Sequence, residues 1–162
     1  MKLIVISDTH GRADAYIERV LRLHEDRDAV LFLGDGIRDF LGLDIGNLFA
    51  VRGNCDIYSP DDVPTERLLI FDGVRILMMH GHTHSVKSGT ARLLAYARAR
   101  GADAVLYGHT HEPLERYVRD SDDERGIYLF NPGSLGEPRG NASSYGVIEI
   151  KKGQLLLSLG HL

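Results

Sequence analysis

Near its N-terminus the chain reads LIVISDTHG (residues 3–11), and this stretch decides the fold. Its first four residues are apolar and mostly β-branched, which is typical of a strand buried on both faces. Strands of this kind occur in α/β proteins, where helices cover the sheet. The strand runs directly into Asp8 and His10, two side chains that can bind a metal ion. The stretch therefore predicts an α/β fold with polar chemistry at the end of its first strand.

The residues that follow indicate a helix and then further buried strands. Apolar residues between Ala13 and Leu21 recur at helical spacing, so an amphipathic helix is expected to cover the sheet. Residues 30–33 and 48–51 are again short apolar runs, and both lead into a glycine and a polar residue. The strand–helix–strand order predicts a parallel pair with a right-handed crossover.

The second half of the chain is richer in strands. Asp72-Gly73 separates apolar runs at 68–71 and 74–79 and so predicts a hairpin. A helix is expected at about 90–100, where Gly101 ends an Ala- and Leu-rich stretch. Further strands are predicted at 104–107, 114–118, 127–130, 145–150 and 155–159. We therefore expect an α/β fold of two packed mixed β-sheets flanked by helices, in a single domain over residues 1–162.

Composition and charge exclude several classes of protein. The apolar fraction of 43% and the charged fraction of 26% are those of a globular protein, not of a disordered or fibrous one. The formal charge of −4 gives no clear nucleic-acid surface, and we assign Arg92, Arg98 and Arg100 to the exposed face of a helix. Any phosphate group of a substrate must therefore be bound by a local positive charge, which bound metal ions would supply.

The cysteine count and the apolar runs predict the compartment. Cys55 is the single cysteine, so it cannot form an intrachain disulfide. The N-terminal apolar run is shorter than the core of a signal peptide, and every other run is far below the ~20 residues of a membrane helix. We expect a soluble, cytoplasmic protein that has no membrane partner.

Five predicted strands run directly into side chains that bind metal ions. The segments are Asp8-Thr9-His10, Gly34-Asp35, Gly53-Asn54-Cys55-Asp56, His80-Gly81-His82 and Gly108-His109-Thr110-His111. Because ligands of α/β sheets bind at the carboxyl ends of the strands, these segments are expected to converge in one crevice. Carboxylates suit Mn²⁺ and Mg²⁺, whereas imidazoles suit Zn²⁺, Fe and Ni²⁺. A carboxylate that bridged two ions would hold them about 3.5–4 Å apart, so that both could polarise one phosphoryl group.

The order of these segments resembles the signature of calcineurin-like metallophosphoesterases, in particular their small bacterial and archaeal phosphodiesterase branch. The resemblance spans essentially the whole chain and includes VRGNCD (51–56) and NPGS (131–134). It implies a four-layer α/β/β/α sandwich with two divalent ions, for which Mn²⁺ is expected and Ni²⁺, Fe²⁺ or Zn²⁺ are alternatives. By this resemblance one ion would be bound by Asp8, His10, Asp35 and His111, and the other by Asp35, Asn54, His80 and His109.

The resemblance also implies an activity, the hydrolysis of a small phosphodiester by a hydroxide that bridges the two ions. Asn54 and Asp56 are then the expected catalytic residues, and Cys55 and His82 the expected substrate contacts. The chain departs from the wider family at Cys55, where most members have a histidine that assists the leaving group. Since a thiol is a weak donor, this assistance is reduced, or else Cys55 is only a small buried residue at the edge of the site.

The tetrapeptide Gly-His-Thr-His occurs twice, at 81–84 and at 108–111. We assign the paired-histidine role to the second copy, because it follows the strand at 104–107 and the family order requires a separate earlier histidine. His80 then fills the earlier position. His82 is expected to line the phosphate pocket, while His84 is equally consistent with an exposed loop residue.

Two other functions fit parts of the sequence. The fold also resembles a retromer coat subunit that acts as a scaffold with a degraded metal site, but that interpretation expects a replacement of His10. The His-x-His-x-His run at 80–84 is similar to those of metallo-β-lactamases and amidohydrolases. Those folds generally need longer chains and would leave Asp8, Asp35 and Asn54 unexplained. Homo-oligomerisation is left open.

Overall fold

The computed structural model describes residues 1–57, 62–120, 123–140 and 142–162. In these ranges the chain forms ten strands and two α-helices. They are β1 (Lys2–Ile6), α1 (Asp14–Leu23), β2 (Ala29–Phe32), β3 (Leu48–Ala50), β4 (Glu66–Phe71), β5 (Val74–Met79), α2 (Ala91–Ala99), β6 (Ala104–Leu106), β7 (Pro113–Asp120), β8 (Asp123–Pro132), β9 (Ser144–Lys151) and β10 (Gln154–His161).

The strands form two five-stranded mixed sheets. The first has the order β10-β9-β1-β2-β3, and the second has the order β4-β5-β6-β8-β7. Each sheet has three neighbouring parallel strands, β1, β2 and β3 in one and β5, β6 and β8 in the other. The remaining strands add to these parallel strands in antiparallel pairs. The predicted parallel pairing of the first two strands is confirmed.

Alternating side chains of each parallel strand build separate layers of core. Leu3 and Val5 of β1 pack between the two sheets, against residues of the second sheet such as Met78. Ile4 and Ile6, on the opposite face, pack with Ile17 and Val20 of α1. This alternation is the period of two that a strand imposes. It explains why residues 3–6 of β1 are all apolar.

The second sheet repeats this arrangement with the other helix. Leu77 of β5 and Val105 of β6 pack against Leu93 and Ala97 of α2. The two sheets thus lie between α1 and α2, and the predicted four-layer α/β/β/α sandwich is confirmed. No helix in the described part of the chain is long and apolar enough to cross a membrane.

In the second half of the chain, the predicted hairpin is present and two of the predicted strands extend further. The hairpin at Asp72-Gly73 is confirmed, since β4 and β5 pair antiparallel with Phe71 opposite Val74. Both turn residues have positive φ, as a tight hairpin turn requires. The strands β7 and β8 are longer than predicted, because their additional residues include exposed charged ones such as Arg119 and Arg125. These residues interrupt the apolar pattern without ending the strand.

Candidate metal centre

The carboxyl ends of the parallel strands of both sheets meet at one edge of the sandwich. Backbone hydrogen bonds join the loops in pairs: the Asp8 amide donates to the Gly34 carbonyl over 3.0 Å, and the Gly108 amide donates to the His80 carbonyl over 3.1 Å. A third bond crosses between the sheets, from the His109 amide to Asp8 Oδ2 over 3.0 Å. The loops therefore form one connected surface, the crevice that the sequence predicts.

Five of the seven predicted ligands have a left-handed backbone conformation. Their φ angles are 54° at Asp8, 51° at His10, 60° at Asp35, 68° at His109 and 60° at His111. For residues with a Cβ atom this conformation costs about 1–2 kcal/mol each. Strain of this kind persists only where the surroundings fix it, and it concentrates at functional sites. Here it turns each side chain away from its strand and into the crevice.

The first group of candidate ligands comprises Asp8, His10 and His111. The Nε2 atom of His111 lies 3.1 Å from Asp8 Oδ1 and 3.2 Å from His10 Nε2. The Nε2 atom of His10 lies 3.8 Å from Asp8 Oδ1. Asp8 is fully buried, and its Oδ1 atom accepts no hydrogen bond from the described residues. A cation bound among these three atoms would satisfy this oxygen.

The second group comprises Asp35, His80 and His109. The Nε2 atom of His80 lies 3.2 Å from Asp35 Oδ2 and 3.2 Å from His109 Nδ1. It also lies 3.9 Å from Asp8 Oδ1, which places the two groups side by side. Asp35 extends the connection, because its carboxylate forms a further cluster with His10 and Cys55 in which all ligand atoms lie within 4.8 Å of one another.

Backbone carbonyl groups fix the tautomers of two of these histidines. His80 Nδ1 lies 2.8 Å from the Leu33 carbonyl oxygen, and His111 Nδ1 lies 2.6 Å from the Glu137 carbonyl oxygen. Nδ1 must carry the proton in both, so each neutral ring directs its Nε2 lone pair at a carboxylate oxygen. Two acceptors face each other favourably only if a proton or a cation lies between them. The donor set of both groups therefore fits metal ions.

The carboxylates also control the ionisation of these histidines in the metal-free protein. Burial alone would lower the pKa of His80, but hydrogen bonding to Asp35 and the charges of Asp8 and Asp35 raise it. The Asp8 carboxylate likewise raises the pKa of His111. Burial opposes ionisation of Asp35, yet His80 and the Cys55 amide hold its pKa well below the usual range. The carboxylates of the centre thus favour the protonated form of both imidazoles.

The pKa of His109 is shifted in the opposite direction. Burial, followed by the charges of His80 and Lys87, lowers its pKa to about 4. The imidazole is therefore neutral at physiological pH, which is the form that binds metal ions.

Two glycines allow the loops to approach each other closely. A Cβ atom at Gly53 would lie 2.1 Å from Asp35 Oδ1, and one at Gly108 would lie 2.0 Å from Ser7 Oγ and 2.6 Å from Asp8 Oδ2. Any side chain at these positions would displace the carboxylates. The glycines of the Gly-Asn and Gly-His motifs are thus required by packing against the two aspartates.

Asn54 and Cys55 lie at the exposed rim of the centre. The Cys55 amide donates to Asp35 Oδ1 over 2.7 Å, and the Asn54 side-chain amide donates to the Cys55 sulfur over 3.2 Å. Cys55 is exposed, so the alternative of a small buried residue is wrong. Partial desolvation of its sulfur by the surrounding loops, followed by the neighbouring carboxylates, raises the pKa of the thiol to about 11, which keeps it protonated. Metal ligation by Asn54 stays a prediction.

Asp56, predicted as a catalytic residue, has a different environment. Its buried carboxylate accepts four backbone N–H bonds of 2.7–3.0 Å, from Asp35, Gly36, Ile37 and Gly53. These bonds occupy the oxygens that a reacting group would need. Asp56 thus joins the loop after β2 to the loop after β3 and positions Asp35, while a catalytic role for it stays a prediction.

His80, which directly precedes the first Gly-His-Thr-His copy, belongs to the second ligand group, whereas the two histidines of that copy belong to neither group. His82 lies at the rim, with its ring 5.5 Å from that of His80 and 6.2 Å from that of His109. His84 instead packs 4.8 Å from the Tyr96 ring of α2. The structure thus brings together the histidines of the predicted assignment. A phosphate contact by His82 stays a prediction.

Several residues that support the centre were not predicted from the sequence. Ser7 Oγ donates to Asp8 Oδ2 over 2.5 Å, and Ser134 Oγ donates to the Asp8 carbonyl over 2.7 Å. The Asn131 side-chain amide donates to the Gly108 carbonyl over 3.0 Å. The NPGS loop was recognised as a motif, and its position directly after a predicted strand was the signal for such a role.

The chain is similar to known proteins over nearly its whole length. A family model described as "Calcineurin-like phosphoesterase superfamily domain" matches residues 1–153. The phosphodiesterase YfcE of Escherichia coli (strain K12) is 32% identical over an alignment of 177 positions, which covers 92% of this chain and 88% of YfcE.

Solved structures show the same fold. A predicted phosphoesterase from Streptococcus pneumoniae TIGR4 has a TM-score of 0.77 and 27% identity, over 98% of this chain and 87% of that chain. Vps29 of Entamoeba histolytica, solved with Zn²⁺, also has a TM-score of 0.77, at 20% identity over 100% of this chain and 98% of that chain. The second likeness shows the fold alone. The family match and the YfcE relationship place the chain in the calcineurin-like phosphoesterase superfamily.

Proposed function

We propose that this chain is a single-domain phosphodiesterase that binds two divalent cations and acts on a small phosphodiester. The observation that carries the proposal is the position of Asp35, whose carboxylate lies within 4.8 Å of His10 and also within 4.8 Å of His80 and His109. A carboxylate shared in this way could bridge two ions. Mn²⁺ is the expected ion, with Ni²⁺, Fe²⁺ and Zn²⁺ as alternatives.

The residues of the chain prepare the site for this chemistry. Ser7 and the His109 amide hold Asp8 Oδ2, which leaves Oδ1 directed at the two groups. The Leu33 and Glu137 carbonyls hold His80 and His111 with Nε2 available as a ligand. Two bound cations would supply a nucleophilic hydroxide at neutral pH and polarise the phosphoryl oxygens.

Cys55 at the rim of the site favours a diester substrate whose leaving alcohol is acidic. Cys55 is the residue where most members of the family have a histidine, and its protonated thiol is a weak donor. Departure of the alcohol must then depend on the cations and on the acidity of the alcohol itself. The name of the relative YfcE, a phosphodiesterase, agrees with this substrate class.

A scaffold without catalytic activity is the second candidate function. It is favoured by the likeness of the fold to Vps29. The side chains favour hydrolysis, because His10 is present and lies in the first ligand group. Cytoplasmic location and homo-oligomerisation stay predictions.

Metal analysis combined with a substrate screen tests the proposed function. The protein would be stripped with a chelator, reloaded with Mn²⁺ and assayed on bis(p-nitrophenyl) phosphate and p-nitrophenyl phosphate. We expect two ions per chain, hydrolysis that depends on the metal, and a preference for the diester. No hydrolysis of either ester after reloading with Mn²⁺ would favour the scaffold.

A further inference from the structure

A cavity adjoins the metal centre. It has a volume of about 390 Å³, within the range of small-ligand sites. Its lining includes Lys87, Tyr107, Thr110, Glu112, Arg116 and Arg139. It lies on the side of the second sheet, between the segment that precedes α2 and the first residues of β7. None of the functions predicted from the sequence uses this cavity.

The cavity carries an excess of positive charge. Arg139 is paired with Glu112, with 3.6 Å between the guanidinium and carboxylate groups. Lys87 and Arg116 are exposed and have no ion pair with any described residue. One acidic and three basic side chains leave a formal charge of +2 in a protein whose total charge is −4. This local reversal favours an anionic ligand.

The cavity shares its wall with the metal centre. Thr110 stands between the ligand histidines His109 and His111, and its Oγ1 accepts a bond of 3.0 Å from the Asn131 side-chain amide. The Arg139 amide donates to the His111 carbonyl over 3.3 Å. The cavity therefore lies directly beside the loop that carries His109 and His111.

We propose that the cavity binds a second phosphate group of the substrate. This group is carried by the alcohol that stays esterified to the phosphoryl group when the other alcohol leaves. The substrate class is thus a phosphodiester with a terminal phosphomonoester, and the proposal rests on the proposed function. A phosphomonoester carries about −1.5 to −2 charges at pH 7, which matches the two unpaired cations. The fork of N–H donors on Arg116 suits phosphate oxygens, and Lys87 adds a mobile point charge.

Calorimetric binding to the Mn²⁺-loaded protein tests the cavity without requiring turnover. The ligands are alkanediol bisphosphates, each compared with the hydroxyalkyl monophosphate of the same chain length, from short to long chains. The test variant is Lys87→Gln/Arg116→Gln. The control is Arg19→Gln/Lys152→Gln, which removes the same charges from α1 and from the turn between β9 and β10, outside the cavity lining.

We expect wild type and control to bind the bisphosphate about tenfold more tightly than the monophosphate at one or more chain lengths. The Lys87→Gln/Arg116→Gln variant should lose this preference. An equal preference in all three proteins, or none in wild type at any length, would overturn the proposal.

Hydrolysis of the corresponding p-nitrophenyl hydroxyalkyl phosphodiesters, which lack the second phosphate, tests the proposed function separately. If those esters are not cleaved, the proposed function fails while the binding comparison still decides the cavity. If they are cleaved and the binding preference is absent, only the cavity proposal fails.

Discussion

His80 Nε2 lies 3.2 Å from Asp35 Oδ2, and both side chains are almost completely shielded from solvent. Because the Leu33 carbonyl holds His80 Nδ1, the atom that faces Asp35 is either protonated or available to bind a cation. In the same way, the Glu137 carbonyl holds His111 Nδ1, and His111 Nε2 lies 3.1 Å from Asp8 Oδ1. Metal and proton therefore compete for the same two nitrogen atoms.

This competition predicts that metal affinity depends on pH. The pKa values of His80 and His111 are raised in the metal-free fold, so their protons persist to higher pH than those of ordinary histidines. Acidification should weaken Mn²⁺ binding by up to about tenfold per pH unit for each proton displaced. Mn²⁺ titration between about pH 6 and pH 8 measures this slope.

Substitution of single histidines checks the origin of the slope. His111→Gln should reduce the pH slope, whereas His84→Gln should leave it unchanged, because His84 packs on Tyr96 outside the ligand groups. Mn²⁺ affinity that stayed constant over this pH range in wild type would contradict the proton competition.

Asp56→Asn should destabilise the fold. Each of the two carboxylate oxygens of Asp56 accepts two backbone N–H bonds. In asparagine an NH₂ group replaces one of these oxygens, so two backbone N–H groups would face another donor. We expect the free energy of unfolding, measured with urea in the presence of a chelator, to fall by about 2–4 kcal/mol. Asp39→Asn is the matched control, since Asp39 accepts one backbone bond, from the Gly11 amide, and should lose less than about 1 kcal/mol. Equal losses would show that Asp56 does not organise the loops.

The strand ends could be predicted from sequence because buried strands and metal ligands each leave a local signal. Residues 3–6 are apolar at every position, and Asp8 and His10 follow at once. The family order then distinguished His80 from His82 and His84. The same local reasoning located the turn at Asp72-Gly73.

What could not be predicted depends on contacts between distant segments. The pairing of β9 with β1 joins Ile148 to Leu3, and no local pattern encodes it. The backbone hydrogen bonds of Asp56 could not be predicted for a similar reason, since three of its four partners lie 19–21 residues away in the loop after β2. A carboxylate beside a predicted asparagine ligand suggests catalysis in the sequence, and only the fold shows its four backbone hydrogen bonds.

Cys55→His tests the departure from the family. An imidazole at this exposed position could assist the leaving alcohol, and general acid catalysis is worth about 10²–10⁴-fold. The variant should gain more kcat/KM on an alkyl phosphodiester than on a nitrophenyl phosphodiester. The ratio of the two values, compared between variant and wild type at equal metal content, is the measurement. An unchanged ratio would mean that this position has no part in leaving-group departure.

Asp35→Ala should lower kcat/KM more than the replacement of any other ligand, and by more than about 10²-fold, because one carboxylate would serve both ions. Asp35→Asn should be nearly as inactive, since an amide bridges poorly. Wild-type turnover by either variant at saturating metal would contradict the two-ion mechanism. Thermal unfolding in a chelator serves as the control for the fold, because Asp35 also accepts the Cys55 amide.

Electron paramagnetic resonance of the Mn²⁺-loaded protein tests the paired centre most directly. Two ions bridged by Asp35 would lie about 3.5–4 Å apart and couple magnetically. We predict two Mn²⁺ per chain and a coupled-pair spectrum, whose hyperfine spacing is half that of an isolated ion, with loss of the coupling in Asp35→Ala. A wild-type spectrum of isolated Mn²⁺ at saturating metal, with one ion per chain, would contradict the account.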